Sequence, residues 1–286
     1  MDVRALLRAW NLRPDKGLGQ NFLVDQAILQ RIAAAAQLTA NDVVLEIGAG
    51  TGALTRQLAQ QAGHVLALEL DQRLIPLLES ELSELDNVEL IQGDVLTVDP
   101  ANLVRDAQEQ LGAPEAGYRV VGNLPYYITS AILRHLLETE LRPDVMVVTV
   151  QYEVAKRIVA EPGDMSVLAI SVQFYADAEL LFRIKPGSFY PAPAVDSAVV
   201  LVDVHASAPL PDEEIRAFFA VVRAGFSQRR KQLHNALSNG LGEPLTKDQA
   251  AARLEEAGVD HRRRAQTLSV EEWIRVTRAL EDIIPL

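Results

Sequence analysis

Cysteine is absent from the 286-residue sequence, which excludes disulfides, thiolate metal sites and cysteine nucleophiles and says little about compartment. Long apolar runs are missing too. The runs at 43–47 and 145–150 are strand-length, far short of the roughly 20 residues of a membrane helix, and no apolar N-terminal stretch precedes a small-residue cleavage site. The expectation is a cytoplasmic chain without membrane span or signal peptide, and a monomer by default. Positive charge is also scarce. A net charge of −12 argues against a polyanionic partner, because phosphate binding is driven by Lys and Arg. The sum hides an asymmetry, however: residues 41–205 carry 10 basic and 24 acidic side chains, whereas residues 206–286 carry 12 of each. Within the latter, Arg229, Arg230 and Lys231 form one basic cluster and Arg262, Arg263 and Arg264 another. A nucleic-acid partner stays open if the two share a face; otherwise each is a solvated helix surface.

What the sequence does have is 49% apolar residues, enough for one large core and a second small one. From residue 42 onward, β-branched runs at 43–47, 65–70, 88–91, 119–121 and 145–150 alternate with longer amphipathic stretches. That alternation implies an α/β fold with a parallel sheet covered by helices. Runs at 178–184 and 195–204, joined by the Pro/Gly-rich loop 185–194, suit an edge hairpin and bring the sheet to about seven strands. Ahead of the sheet, Asp25 can cap a helix reaching Gln37, and the stretch before Asp25 reads as too irregular for core. Residues 99–117, polar and without an apolar period, read as a surface excursion. A linker near 205–212 precedes purely helical patterns, giving a catalytic domain at 1–205 and a helical domain at 206–286.

The first strand runs into Gly48-Ala49-Gly50-Thr51-Gly52, and a helical pattern follows. Glycines at such a bend let the backbone turn sharply and approach a ligand at the carboxyl ends of the strands, although a plain strand-to-helix turn would use them equally well. Glu69 ends the second strand about 20 residues later, the spacing at which a carboxylate meets two ribose hydroxyls; helix capping is the competing use of Glu69 and Asp71. Asp94, after the third strand, can accept from an adenine amino group. Two carboxylates and a glycine turn suit an adenosine. No Lys-Ser or Lys-Thr pair follows the glycines, so a P-loop is excluded, and the Gly-x-Gly-x-Gly spacing disfavours a dinucleotide without eliminating it.

Asn123-Leu124-Pro125-Tyr126-Tyr127-Ile128 follows the fourth strand. An adenine exocyclic amine is a poor nucleophile because its lone pair is delocalised into the ring. Two acceptors, the Asn123 side-chain oxygen and a backbone carbonyl at Leu124 or Pro125, would hold its hydrogens and favour positive charge developing on nitrogen. Proline preorients those carbonyls, and Tyr126 can stack on the base.

Asn-Leu-Pro-Tyr after Glu-Ile-Gly-Ala-Gly-Thr-Gly resembles the amino-methyltransferases, and among them the rRNA adenine dimethyltransferases of the small ribosomal subunit. Segments 19–23, 151–157, 189–197, 226–231 and 264–269 are similar to that family in the same order, so the resemblance covers residues 15–280. It implies a Rossmann-like class I methyltransferase sheet with a smaller all-helical C-terminal domain, S-adenosylmethionine as cofactor, and dimethylation of two adjacent adenosines in the 3′-terminal hairpin loop of 16S rRNA in the assembling subunit. It implies further that Asn21 and Leu23 reach the cofactor with Gly48, Gly50, Glu69, Asp94 and Asn123. Phe189 would stack on the target adenine opposite Tyr126, and the two basic clusters would contact rRNA. Two departures are visible: Ala49 stands where proline is common, and Tyr152 where lysine is common. The competing readings are a large-subunit rRNA adenine methyltransferase, a ribosome assembly or transcription factor on the same fold and, less favoured, a DNA adenine methyltransferase.

Overall fold

The first elements fold from the stretch expected to be irregular. A computed structural model of the chain describes residues 3–113, 116–242 and 245–283. In it, helix α1 (Val3–Ala9) and the short strand β1 (Phe22–Leu23) precede α2 (Gln26–Ala35). Val3, Leu7, Phe22 and Leu23 are all buried, because apolar residues spaced four apart in α1 and paired in β1 meet the core. Asp25 caps α2 as expected, accepting from the Ala27 and Ile28 N–H groups.

The α/β alternation then runs β2 (Val43–Ile47), α3 (Ala53–Ala59), β3 (His64–Glu69), α4 (Ile75–Leu82), β4 (Val88–Gln92), α5 (Pro100–Gln110), β5 (Tyr118–Asn123), α6 (Thr129–Leu137), β6 (Val145–Gln151) and α7 (Tyr152–Ile158). After α8 (Val167–Gln173) come β7 (Ala176–Ile184), β8 (Phe189–Tyr190) and β9 (Ser197–Val204). Seven strands form one sheet in the order β4-β3-β2-β5-β6-β9-β7. The first five are parallel, and β9 joins β6 antiparallel. Every residue of β2 and β3 is buried, as strands covered on both faces must be. Val44, Val65, Val121, Val147 and Val199 pack with Leu29, Ile32 and Leu58 of α2 and α3.

Two features depart from the sequence reading. Helix α5 occupies the supposed excursion 99–117: Asp99 caps it, Pro100 opens it, and Ala101, Val104 and Ala107 bury a face too small-sided to register as an apolar period. Residues 114 and 115 lie outside the described ones. Inside the hairpin loop, β8 pairs antiparallel with β1, Phe22 against Tyr190 and Leu23 against Phe189, forming a second, two-stranded sheet.

The chain divides into two compact units, residues 1–155 with 177–204 and residues 156–176 with 205–286. The segment 156–176, counted with the catalytic domain in the sequence, thus belongs to the helical unit. Gly163 and Met165 N–H groups donate to the Gln266 carbonyl (2.9 and 3.0 Å), and Phe174 packs on Phe218 and Phe219. The rest of that unit is α9 (Asp212–Phe226), α10 (Leu233–Leu241), α11 (Lys247–Glu256) and α12 (Val270–Ala279). Thr246 with Gln249, and Ser269 with Glu272, close capping boxes that start α11 and α12. Trp273 of α12 is fully buried against α9; a Cβ on Gly225 would come within 2.3 Å of its ring.

Candidate active site

The strand order reverses between β2 and β5, and ligands of open α/β sheets bind at the carboxyl ends of strands around such a point. There an open cleft of about 780 Å³, its mouth included, lies among Asn21, Gly48, Gly50, Glu69, Asp94, Asn123, Leu124, Pro125 and Tyr126. Nine residues singled out from separate sequence motifs thus line one cavity. A smaller adjoining cavity shares Phe22, Gly48, Gly50 and Asn123 with it and reaches Leu23 and Glu46.

The glycine turn is held to β3. Gly48 and Ala49 N–H groups both donate to the Leu68 carbonyl (2.8 and 3.1 Å), and Gly48 and Gly50 take φ of +77° and +60°, where side chains are strained. A Cβ on Gly50 would stand 3.1 Å from the Phe22 ring. Glu69 braces the turn: Oε2 accepts from Gly50 N–H and Oε1 from Asp71 N–H, both at 2.8 Å. Burial pushes the Glu69 carboxyl above its ordinary range, and these backbone bonds oppose that shift. Asp71 does the capping work, accepting from Arg73 N–H in the turn that follows β3. It also takes the Arg73 guanidinium and Gln20 Nε2 (2.8 Å), anchoring the segment that carries Asn21. The Arg73 bond, above all, holds Asp71 below the usual carboxylate range. One Asp94 oxygen accepts from Leu96 N–H at 2.9 Å.

Asn123 is the last residue of β5. Its Nδ2 donates to the Asn21 carbonyl at 2.8 Å, which leaves Oδ1 buried with no donor among the described residues. An unpaired buried acceptor is costly, of order 1–3 kcal/mol, and such groups concentrate where a ligand completes the bond. Of the two candidate backbone carbonyls, that of Pro125 is occupied by Ile128 N–H (3.3 Å) and Thr129 Oγ1 (3.1 Å). The Leu124 carbonyl remains. The Tyr126 hydroxyl bonds Ser197 Oγ at 2.6 Å, and burial, partly offset by that bond, raises its pKa, so the ring is a neutral phenol.

Two further residues expected at the site are buried. Phe189 is 2% exposed, belongs to the core cluster that holds Leu23, Leu29 and Ile32, and is paired through its backbone to β1. Leu23 is buried and lines the smaller, adjoining cavity. Two others escaped the sequence reading. Glu46 is fully buried with Oε2 unpartnered; burial, opposed by Thr55 and reinforced by Glu69, pushes its carboxyl up to about 8. A lone acid inside the apolar run of β2 was the available signal. Ser197 closes the family-like segment 189–197, but nothing in the sequence pairs it with Tyr126, 71 residues away.

In the helical unit the two basic clusters meet: Leu233 N–H donates to the Arg263 carbonyl at 2.7 Å, directly after Lys231-Gln232. Arg229, Arg230, Lys231, Arg262 and Arg264 are exposed. Arg263 is not part of that surface. Its guanidinium binds both Glu272 oxygens and the Thr267 carbonyl and hydroxyl, because it faces the α12 capping box.

Comparison with known proteins accords with this geometry. The model of the ribosomal RNA adenine dimethylase family matches residues 11–282. Proteins named ribosomal RNA small subunit methyltransferase A are 44% identical in Dehalococcoides mccartyi, over 95% of this chain and 90% of theirs, and 44% in Moorella thermoacetica, over 97% and 96%. Among solved structures, a dimethyladenosine transferase from Plasmodium falciparum matches 91% of this chain and 98% of its own (TM-score 0.76, 25% identity). The 23S rRNA methyltransferase ErmE matches 91% and 100% (TM-score 0.71, 29%). A single cleft joining the glycine turn, Glu69 and the Asn-Leu-Pro-Tyr segment, together with a family match over nearly the whole chain, makes this protein a member of the ribosomal RNA adenine dimethylase family.

Proposed function

We propose that the protein transfers methyl groups from S-adenosylmethionine to the exocyclic amines of two adjacent adenosines in the 3′-terminal hairpin loop of 16S rRNA, within the assembling small subunit in the cytoplasm. The observation that carries this reading is the buried Asn123 Oδ1, without a donor among the described residues, in the wall of the cleft at the strand ends.

The residues fit the cofactor. Glu69, already oriented by two backbone N–H groups, has lone pairs left for ribose hydroxyls. Asp94 offers an acceptor to the adenine ring, and the side-chain-free Gly48 and Gly50 permit close approach. The Glu46 carboxyl, which lines the adjoining cavity, would be available to the cofactor's amino-acid part. When bound, the cofactor supplies an electrophilic methyl on a sulfonium. The protein's own part is to hold the target amine: Asn123 Oδ1 and the Leu124 carbonyl accept its two hydrogens, and the nitrogen becomes tetrahedral with its lone pair free. Tyr126 stacks on the base and favours the developing cation. Single-stranded loop bases can be splayed into such a cleft without breaking pairs. The helical unit, with Arg229 to Lys231, Arg262 and Arg264, is the rRNA-binding part.

Mixing the protein with labelled cofactor and unmethylated small subunits, large subunits or naked rRNA, then mapping the label, tests the proposal. Dimethyladenosine at the two loop positions is expected. Label confined to 23S rRNA would favour a large-subunit enzyme, and no label a non-catalytic assembly factor.

A further inference from the structure

Asp196, the residue before β9, is gripped by two cations. Lys185 Nζ (2.9 Å) and Arg183 Nε both donate to its Oδ2, and the two, Lys185 foremost, hold it below the usual carboxylate range. The Arg183 guanidinium also lies over the Tyr152 ring, 4.3 Å from its centroid, while Tyr152 N–H donates to the Asp196 carbonyl (2.9 Å). Next in sequence is Ser197, whose hydroxyl holds Tyr126. A layer of arginine on tyrosine therefore stands one residue from the group that fixes the ring at the cleft. Two cations share one carboxylate there, in a stretch where acids outnumber bases by 24 to 10. The side chains of Arg183 and Lys185 keep 48% and 71% of their surface exposed.

We infer that Arg183, stacked on Tyr152, and Lys185 form a platform for the nucleotide adjoining the target adenosine. The guanidinium plane carries the neighbouring base and Lys185 faces its phosphate. The assignment rests on the RNA-methylation reading above. Guanidinium groups stack on unpaired bases, and an exposed arginine over a tyrosine ring with a lysine close by suits one splayed nucleotide better than a stretch of duplex backbone. Arg183 reaches this layer from the edge strand β7.

Arg183→Ala, Arg183→Lys and Lys185→Ala can be compared in methyl transfer to unmethylated small subunits and in cofactor titration. Arg183→Ala is expected to raise the KM for subunits roughly tenfold, the loss of one stacked base, with kcat and cofactor affinity unchanged. Arg183→Lys keeps a cation for Asp196 but no plane, and should retain most of that loss. Lys185→Ala should flatten the salt dependence of binding by a slope of about one. An unchanged KM in both Arg183 variants overturns the proposal. So does a fall in kcat at constant KM, which would mean that Arg183 only braces Asp196 and Ser197. A loss with subunits that vanishes in binding to protein-free rRNA would assign the surface to a ribosomal protein instead. Should Arg183→Ala melt early, Arg183→Lys and Lys185→Ala carry the test. Failure of the unmodified protein to methylate any rRNA would sink the functional reading, a separate result.

Discussion

Asn123 and Glu46 are both buried polar groups with an unpartnered oxygen, yet removing each has a different consequence. Asn123→Ala deletes the acceptor proposed to hold the target amine, so kcat should fall by roughly 10²- to 10³-fold while subunit binding persists, as steady-state assay and sedimentation would show. Undiminished transfer would refute its role. Glu46 matters through protons. Its folded carboxyl retains the proton up to about pH 8, whereas the unfolded chain releases it near the ordinary glutamate value of 4.5. The native state thus binds more protons across that window, and stability falls as pH rises through it. Glu46→Gln should remove that slope: its melting temperature relative to the unmodified protein, measured without cofactor, should be higher at pH 8 than at pH 5. At this scale the sequence was informative wherever chemistry and chain order coincide. Gly48 and Gly50, Asp94 and the 123–126 segment each lie at or just past the end of a strand. It did not pair Ser197 with Tyr126, and it could not show that Phe189 is buried, because a ring's exposure depends on β1 pairing with β8 from far along the chain.

Elements differ in how plainly their residues announce them. The buried valine and leucine runs of β2 and β3 admit no reading but a covered strand, whereas α5 hides its inner face in alanines, and β1 and β8, two residues each, exist only through each other. The basic segment 262–264 shows the same limit within one element. Three consecutive arginines look equivalent, but the middle one turns inward to fasten the start of α12. Arg263→Ala should cost about 1–2 kcal/mol, the worth of charge-assisted bonds at a partly exposed site, in denaturant unfolding followed by tryptophan fluorescence. Arg264→Ala should leave the same transition in place. Equal effects of the two would contradict the clamp.

For the molecule as a whole, acidity and an anionic substrate are reconciled by where the charge is placed. Reversing Arg229, Arg230 and Lys231 to glutamate should weaken subunit binding and reduce its salt dependence, with cofactor titration unaffected. Unchanged binding would remove the helical unit from the interface. Size and sign of the net charge therefore predict little about the partner, and local juxtaposition predicts more. The same holds for the bond between the Asn21 carbonyl and Asn123 Nδ2, which spans 102 positions of the chain. A carboxamide is nearly symmetrical in outline, and only its hydrogen-bonding polarity tells one end from the other. By claiming the donor end, a peptide unit from a distant stretch of chain decides that the acceptor end stays vacant, so a chain lacking the Asn21 carbonyl would keep its asparagine and lose its sense of direction.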